Sequence, residues 1–248
     1  GALAGQRLDD IYKEYKGELA GKKVYEKYPD KFPLLIKFLD VNDRLSIQVH
    51  PSDEVAMKKH NEFGKSESWY IVYASDDATL ILGTKPGVTK EKFLEKVKNN
   101  DFSDLFEERS VKTGDFIDIT PGTVHASLKG SVIFAEIQQS SDVTYRIYDF
   151  DRIDKDGKKR ELHLDNAADV IDFEKKVEIK NTNFQNGENK KNIIKNEFYS
   201  IDKIKILNSY EDFCSESMII YTVLDGNGKV FWNENEFLEL KKGENILI

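Results

Sequence analysis

One cysteine, Cys214, is all that 248 residues contain. No disulfide can form within the chain, and zinc sites built from several cysteines are excluded. A reducing cytoplasm is the compartment that such usage suits. Positive charge is also short: 37 Lys and Arg against 45 Asp and Glu leave a net charge of −8, where a nucleic-acid binder shows a basic stripe. That sign does not exclude an anionic small molecule, because a local group of Lys and Arg can hold a phosphate within an acidic protein. No run approaches the ~18 apolar residues of a membrane-spanning helix, and no signal-peptide pattern opens the sequence. There is no Gly-x-Ser-x-Gly elbow and no phosphate-binding P-loop, and Cys214 has no histidine nearby in sequence. Nucleophilic catalysis through those motifs therefore has no support. The remainder is 33% charged and 39% hydrophobic, which suits one large all-β domain or two smaller ones.

Leu8, Ile11, Tyr12 and Tyr15 fall at i, i+3, i+4 and i+7, so a short amphipathic helix is expected there. Leu34–Leu39 and Leu45–His50 read as two strands with a turn at Asn42-Asp43. Residues 53–60 suit a helical turn, and residues 67–82 are strand-rich. The period changes over 89–109, where Phe93, Leu94, Val97, Phe102, Leu105 and Phe106 predict two inserted helices. Strands resume at Phe116–Ile119 and Val132–Gln138. Residues 174–192 are rich in Lys, Asn, Gly and Glu with few apolar positions, and form the best linker candidate. Beyond them, Leu224–Val230 and Leu240–Ile248 echo Lys112–Ile119, which suggests two related β units. The second copy has no histidine, so any metal belongs to the first.

Four stretches carry chemistry. Gln48 and His50 lie two apart on a strand, so their side chains share a face. An ordinary half-buried strand is the bland account of a lone Gln-x-His. Against it stand Pro51, which ends the strand, Glu67, which enters the apolar run Trp69–Val72, and His125, which follows the turn Thr120-Pro121-Gly122. A carboxylate entering an apolar run is costly unless something pairs it; Glu62, Glu54 and Asp53 compete with Glu67 for that role. A mixed His, Glu and Gln set suits a borderline metal with an open position. His60 and His163 sit among charged residues and read as solvated. Lys37 interrupts Leu34–Leu39 and needs a partner or a function. Arg146, between Tyr145 and Tyr148, can clasp a phosphate or pair with Asp142 or Asp149. Lys65 is a further candidate anion contact.

In order, Pro33–Pro51, Gly64–Tyr70, Thr120–Ala126 and Glu136–Arg152 resemble the type I mannose-6-phosphate isomerases in their short bacterial form. The resemblance is dense from about residue 33 to 152 and loose afterwards. It implies two cupin (jelly-roll) β-barrels in tandem with a small helical insertion. The expected division is a metal-bearing catalytic domain over 1–173, a linker over 174–192, and an incomplete, metal-free second cupin over 193–248. The resemblance also implies one Zn2+ per chain held by Gln48, His50, Glu67 and His125. It implies a substrate phosphate at Lys37 and Ser46, and Lys65, Asp142 and Arg146 close to the reacting carbons. Relatives of this kind carry a further stretch before the first residue and more strands after Ile248, so both ends are expected to be cut.

The implied reaction interconverts mannose 6-phosphate and fructose 6-phosphate by moving a proton between C2 and C1 through an enediol. Lys65 can serve as the base where neighbouring positive charge favours its neutral amine. Asp142 and an unliganded face of His50 are rivals. Two other classes stay open: a cupin sugar-phosphate-binding module without turnover, and a metal-dependent cupin oxygenase, which Gln48 in place of a histidine argues against.

Overall fold

The computed structural model describes residues 3–214, 216–234 and 236–248. Its contacts group the chain into two compact units, Leu34–Lys205 and a second made of Gly1–Pro33 with Ile206–Ile248. The second unit opens with three short helices, α1 (Leu8–Tyr15), α2 (Gly17–Ala20) and α3 (Lys22–Lys27). The apolar stripe of α1 is anchored by Tyr12, which is buried, donates its hydroxyl to the Tyr28 carbonyl at 2.7 Å and meets the Tyr25 and Phe32 rings edge-on.

The larger unit starts with β1 (Leu34–Val41), β2 (Ile47–Val49), α4 (Asp53–His60), β3 (Glu67–Ala74) and β4 (Thr79–Thr84). It continues through α5 (Lys90–Lys98), β5 (Phe106–Ser110), β6 (Asp115–Ile119), β7 (His125–Lys129), β8 (Val132–Gln139) and β9 (Tyr145–Tyr148). It ends with α6 (Leu164–Val170), β10 (Ile179–Asn181), β11 (Lys190–Lys195) and β12 (Ser200–Ile204). Two five-stranded antiparallel sheets result, ordered β1-β8-β3-β6-β10 and β5-β4-β7-β2-β9, and β11 pairs with β12.

Strand alternation sorts the side chains into two cores. Trp69, Ile71, Ile117, Ile119 and Phe134 of the first sheet meet Leu80 and Leu82 of the second, filling the space between the sheets. Ile81, on the opposite face of β4, joins Ile47, Val49, Ala126 and Ile147 under Phe93 and Val97 of α5 and Ala167 and Ala168 of α6. With Ile47 and Val49 facing the helices, the intervening Gln48 must face the other sheet. The functional residues of β2 are thus aimed by their apolar neighbours.

The stretch 89–109 holds one helix and one strand, where its spacing predicts two helices. Asn100 and Asp104 adopt left-handed backbone (φ 54° and 57°) and turn the chain. Leu105 is then buried in the bend just before β5, and Phe106 is buried as the first residue of β5, opposite Thr84. The division at residue 173 also differs from the compact units, because β10, inside the expected linker, extends the first sheet by pairing with β6. In the smaller unit, β13 (Ile220–Thr222) pairs with β16 (Asn245–Leu247), and β14 (Asn227–Phe231) with β15 (Phe237–Lys241). No helix among the described residues is long and apolar enough to cross a membrane.

Candidate active site

Three buried ligand-type side chains converge between the sheets: His50, Glu67 and His125, whose ligand atoms lie within 4.8 Å of one another. Each arrives by register. Gln48 on β2 stands opposite both His125 on β7 and Arg146 on β9. Glu67 opens β3 with the same inward parity as Trp69 and Ile71. His50 follows β2 and is 1% exposed, while Glu67 and His125 are fully buried.

The imidazole orientations are fixed from behind. His50 Nδ1 faces the Val143 carbonyl at 3.1 Å and His125 Nδ1 faces the Thr123 carbonyl at 2.9 Å. A ring nitrogen against a carbonyl oxygen carries the proton, so each Nε2 turns its lone pair inward. There they meet Glu67, with His50 Nε2 at 3.5 Å from Oε2 and His125 Nε2 at 3.1 Å from Oε1. Neither His50 Nε2 nor either Glu67 oxygen has a hydrogen bond, although the ion-pair distances are short. Lone pairs facing a carboxylate in a dry interior repel unless a cation lies among them.

Gln48 adjoins this cluster, its Nε2 3.2 Å from His125 Nε2. An amide flip would present Oε1 instead, and O and N of an amide are distinguished only by their partners. Two imidazoles, a carboxylate and an amide oxygen therefore fit a divalent metal of borderline softness.

Protonation follows burial. Desolvation first, then the charge of Lys65, lowers the His50 pKa from 6.5 to about 4, which keeps the ring a neutral ligand. For Glu67, burial opposes ionisation, but the charges of His50, Lys65 and His125 outweigh it and hold its carboxyl well below the usual range. Lys65 contributes directly to this, its Nζ 3.1 Å from Glu67 Oε2.

Beside this cluster lies a cavity of about 400 Å³ whose wall includes Lys37, Ser46, Gln48, Lys65, Trp69, Glu136, Asp149, Arg152 and Arg160. Gln48 and Lys65 thus border both the ligand set and the cavity. Ser46 donates weakly to Gln48 Oε1 at 3.4 Å. Lys37 finds its partner in Glu136 at 2.6 Å, and Glu136 also accepts from the Trp69 indole at 3.0 Å. These three stand opposite one another on β1, β8 and β3.

Two other sequence candidates lie elsewhere. Asp142 is exposed in the β8–β9 connection and does not border the cavity. Arg146 also lies outside the cavity wall; its Nη1 donates to the Glu161 carbonyl at 3.1 Å, not to Asp142 or Asp149. Burial, then the neighbouring Arg160, lowers its pKa. Of the rival carboxylates, Asp53 staples the loop by accepting from Gly64 N at 2.7 Å and Gln139 Nε2 at 3.0 Å. The two histidines read as solvated have structural bonds: His60 to the Tyr145 hydroxyl at 2.8 Å, and half-buried His163 accepting from Arg146 N at 3.2 Å.

Sequence reasoning missed Glu136, Asp149, Arg152 and Arg160 on the cavity wall. Inward parity on β8 was the available signal for Glu136. The others follow a strand end, where alternation stops.

Comparison with known proteins agrees with this arrangement. The family described as phosphomannose isomerase type I, catalytic domain, matches residues 2–76. A probable mannose-6-phosphate isomerase, GmuF, of Bacillus subtilis is 36% identical over 253 residues, covering 100% of this chain and 77% of that protein. A mannose-6-phosphate isomerase of Streptococcus mutans is 34% identical, with 100% and 76% covered. The crystal structure of the mannose 6-phosphate isomerase from Bacillus subtilis superposes with a TM-score of 0.86 at 33% identity, over 100% of this chain and 77% of that one. The apo phosphomannose isomerase of Salmonella typhimurium, 16% identical with a TM-score of 0.74, shares the fold. A mostly β, cupin-like architecture, a buried His/Glu/His cluster beside a cavity, and relatives above 30% identity along the whole chain lead to one conclusion: this chain belongs to the type I phosphomannose isomerases.

Proposed function

We propose that the chain interconverts mannose 6-phosphate and fructose 6-phosphate, with one zinc ion held by Gln48, His50, Glu67 and His125. The observation that carries the metal is the convergence of the inward-facing ligand atoms of His50, His125 and Glu67, which a divalent cation would satisfy together. Zinc suits two imidazole nitrogens with two oxygens, and when bound it would act as a Lewis acid toward the sugar's carbonyl and hydroxyl oxygens. The relatives' names support the substrate. The cytoplasm is the compartment that the single cysteine suits.

The chain's own groups supply positioning and proton transfer. Moving a proton between C2 and C1 through an enediol requires a group that faces the cavity. Lys65 borders the cavity, and its Nζ is held at Glu67. His50 is a weaker rival, since its Nδ1 is committed to Val143 and its Nε2 to the ligand set. Asp142 is solvent-exposed and off the cavity wall. Arg146 stands opposite Gln48 on β9 but off the cavity wall, its Nη1 on the Glu161 carbonyl, so any charge it contributes to the enediol acts at longer range. Trp69 and Leu39 narrow the cavity and displace water from the reacting carbons.

Turnover in deuterated water tests the proton route. The account expects deuterium at C1 or C2 after many turnovers, and a Lys65→Gln chain that keeps its metal should lose exchange and turnover together. Isomerisation that never incorporates solvent deuterium would point to hydride transfer and refute the enediol.

A further inference from the structure

We propose that Gln139 is a positioning residue for proton transfer: paired with Asp53, it fixes the backbone on both sides of Lys65, and so fixes where the Lys65 amine meets the sugar. The inference rests on the isomerase reading for the step that Lys65 performs. A lysine carries its charge on a flexible four-carbon stem, so the amine is aimed only as well as the backbone beneath it is held. Lys65 stands in the connection between α4 and β3, yet its side chain forms part of the cavity wall and its Nζ lies 3.1 Å from Glu67 Oε2. In this connection, side chains do the work that a strand ladder does elsewhere.

Three successive N–H groups around Lys65 are taken. Gly64 N donates to Asp53 Oδ1 at 2.7 Å, Lys65 N to the Pro51 carbonyl at 3.1 Å, and Ser66 N to Gln139 Oε1 at 2.8 Å. The flanking carbonyls are taken too, Phe63 accepting from Ser141 Oγ at 2.7 Å and Ser66 from Gln139 N at 3.0 Å. Gln139 Nε2 then donates to Asp53 Oδ1 at 3.0 Å, which closes a ring through the backbone of residues 64–66. Both ends of the amide have partners of fixed kind, a backbone donor and a carboxylate acceptor, so its orientation is settled. The ring is also tight: a Cβ on Gly64 would lie 2.4 Å from Asp53 N.

The chemistry of the position calls for an amide. Gln139 is buried, and only a side chain with both a donor and an acceptor answers Asp53 and Ser66 N together; an apolar one of equal size would leave a buried N–H unpaired. The same turn reaches the metal set. Ser141, two residues on, donates to the Phe63 carbonyl and accepts from Val143 N at 3.2 Å, and the Val143 carbonyl orients His50 through Nδ1 at 3.1 Å. Gln138 secures the turn from within, its Nε2 donating to the Gln139 carbonyl at 2.8 Å and the Ser141 carbonyl at 3.2 Å. One short segment after β8 therefore sets both a ligand ring and the loop that carries the amine. Such support matters because a displacement of about 1 Å at a reacting group can cost about 100-fold in rate.

The test uses Gln139→Glu, alone and combined with Asp53→Asn, in the full metal-loaded chain. Gln139→Glu keeps the volume and the acceptor for Ser66 N, but sets a carboxylate against Asp53 with no proton between them. Adding Asp53→Asn restores that bond with donor and acceptor exchanged. Three quantities are read: kcat and KM for mannose 6-phosphate, the isotope effect on kcat with substrate deuterated at C2, and the rate at which an amine-acylating reagent labels Lys65, resolved by mass spectrometry without substrate. Gln139→Glu should lower kcat by about 10- to 100-fold, move KM far less, raise the isotope effect and speed Lys65 labelling, and the double variant should recover most of each. A glutamine that only stabilises the fold would lower the unfolding midpoint and leave these readouts unchanged in the folded chain. If Gln139→Glu fails to fold, Asp53→Ala, at the half-buried end of the staple, carries the comparison. Parental kcat, isotope effect and labelling would overturn the proposal. So would a fall in kcat matched by an equal loss of bound metal, which would place the effect at His50. A parent chain that never isomerises, with Lys65 labelling faster in Gln139→Glu and slower again in the double variant, would sink the isomerase reading and leave the positioning standing.

Discussion

Replacing Glu67 by Gln keeps the volume of the buried cluster and removes its one carboxylate. In the parent chain, a metal that binds only the folded state stabilises it by RT ln(1 + [M]/Kd), which is about 2.7 kcal/mol at a free concentration 100 times Kd. Glu67 supplies the charged ligand among His50, His125 and Gln48, so its loss should weaken binding at least as much as losing an outer hydrogen-bond partner of a ligand, up to about 100-fold. At the same free metal the variant then sits near its own Kd and gains about 0.4 kcal/mol. The assay is urea unfolding followed by fluorescence of buried Trp69, with chelator and with buffered free zinc, each variant against itself. Because each comparison is internal, the cost of leaving Lys65 without Glu67 cancels. A Glu67→Gln chain that keeps more than about 2 kcal/mol of metal-linked stability would refute the assignment of Glu67 as a ligand.

Two further perturbations probe the same region. In chelator, His50 has a folded pKa of about 4 against an ordinary 6.5. Between those values the unfolded chain binds the extra proton, so this contribution is intact above pH 6.5 and is lost as pH falls through 4, up to about 3 kcal/mol. The urea midpoint of the chelated chain should fall over that window, and more shallowly in His50→Asn; equal slopes would contradict the burial argument. Gly64→Ala places a methyl 2.4 Å from the backbone at Asp53 N and Ser52 C, where nothing can yield. It should cost about 1–3 kcal/mol and, by shifting Lys65, lower turnover; a variant with parental midpoint and kcat would show that the loop has slack.

The convergence of His50, Glu67 and His125 was legible because they lie on or directly beside regular strands. Alternation alone puts Gln48 and His50 on one face, and the apolar Ile47 and Val49 decide which. Glu67 was readable as a carboxylate entering the run from Trp69 to Val72. Legibility failed where local pattern and tertiary context part. Leu105 and Phe106 continue a helical spacing from Phe93, but the left-handed turns at Asn100 and Asp104 break the helix and lead into β5 at Phe106. Asp142 sits in the connection before β9, where no periodicity fixes side-chain direction, and Arg146 lies within β9 opposite Gln48. Arg152 and Arg160 are spread through a charged hairpin after Asp149, where each basic residue alone reads as a solvated charge. Only the folded chain shows two of them sharing one buried carboxylate.

The central claim is that a metal held by His50, Glu67, His125 and Gln48 is required for isomerisation of mannose 6-phosphate. The most direct measurement is fructose 6-phosphate formation by the purified chain, before chelation, after it, and after zinc is restored. The account predicts turnover that disappears with chelator and returns with zinc. Turnover unaffected by complete metal removal, or no turnover in a folded chain shown to hold its metal, would contradict it, the latter in favour of a sugar-phosphate-binding module.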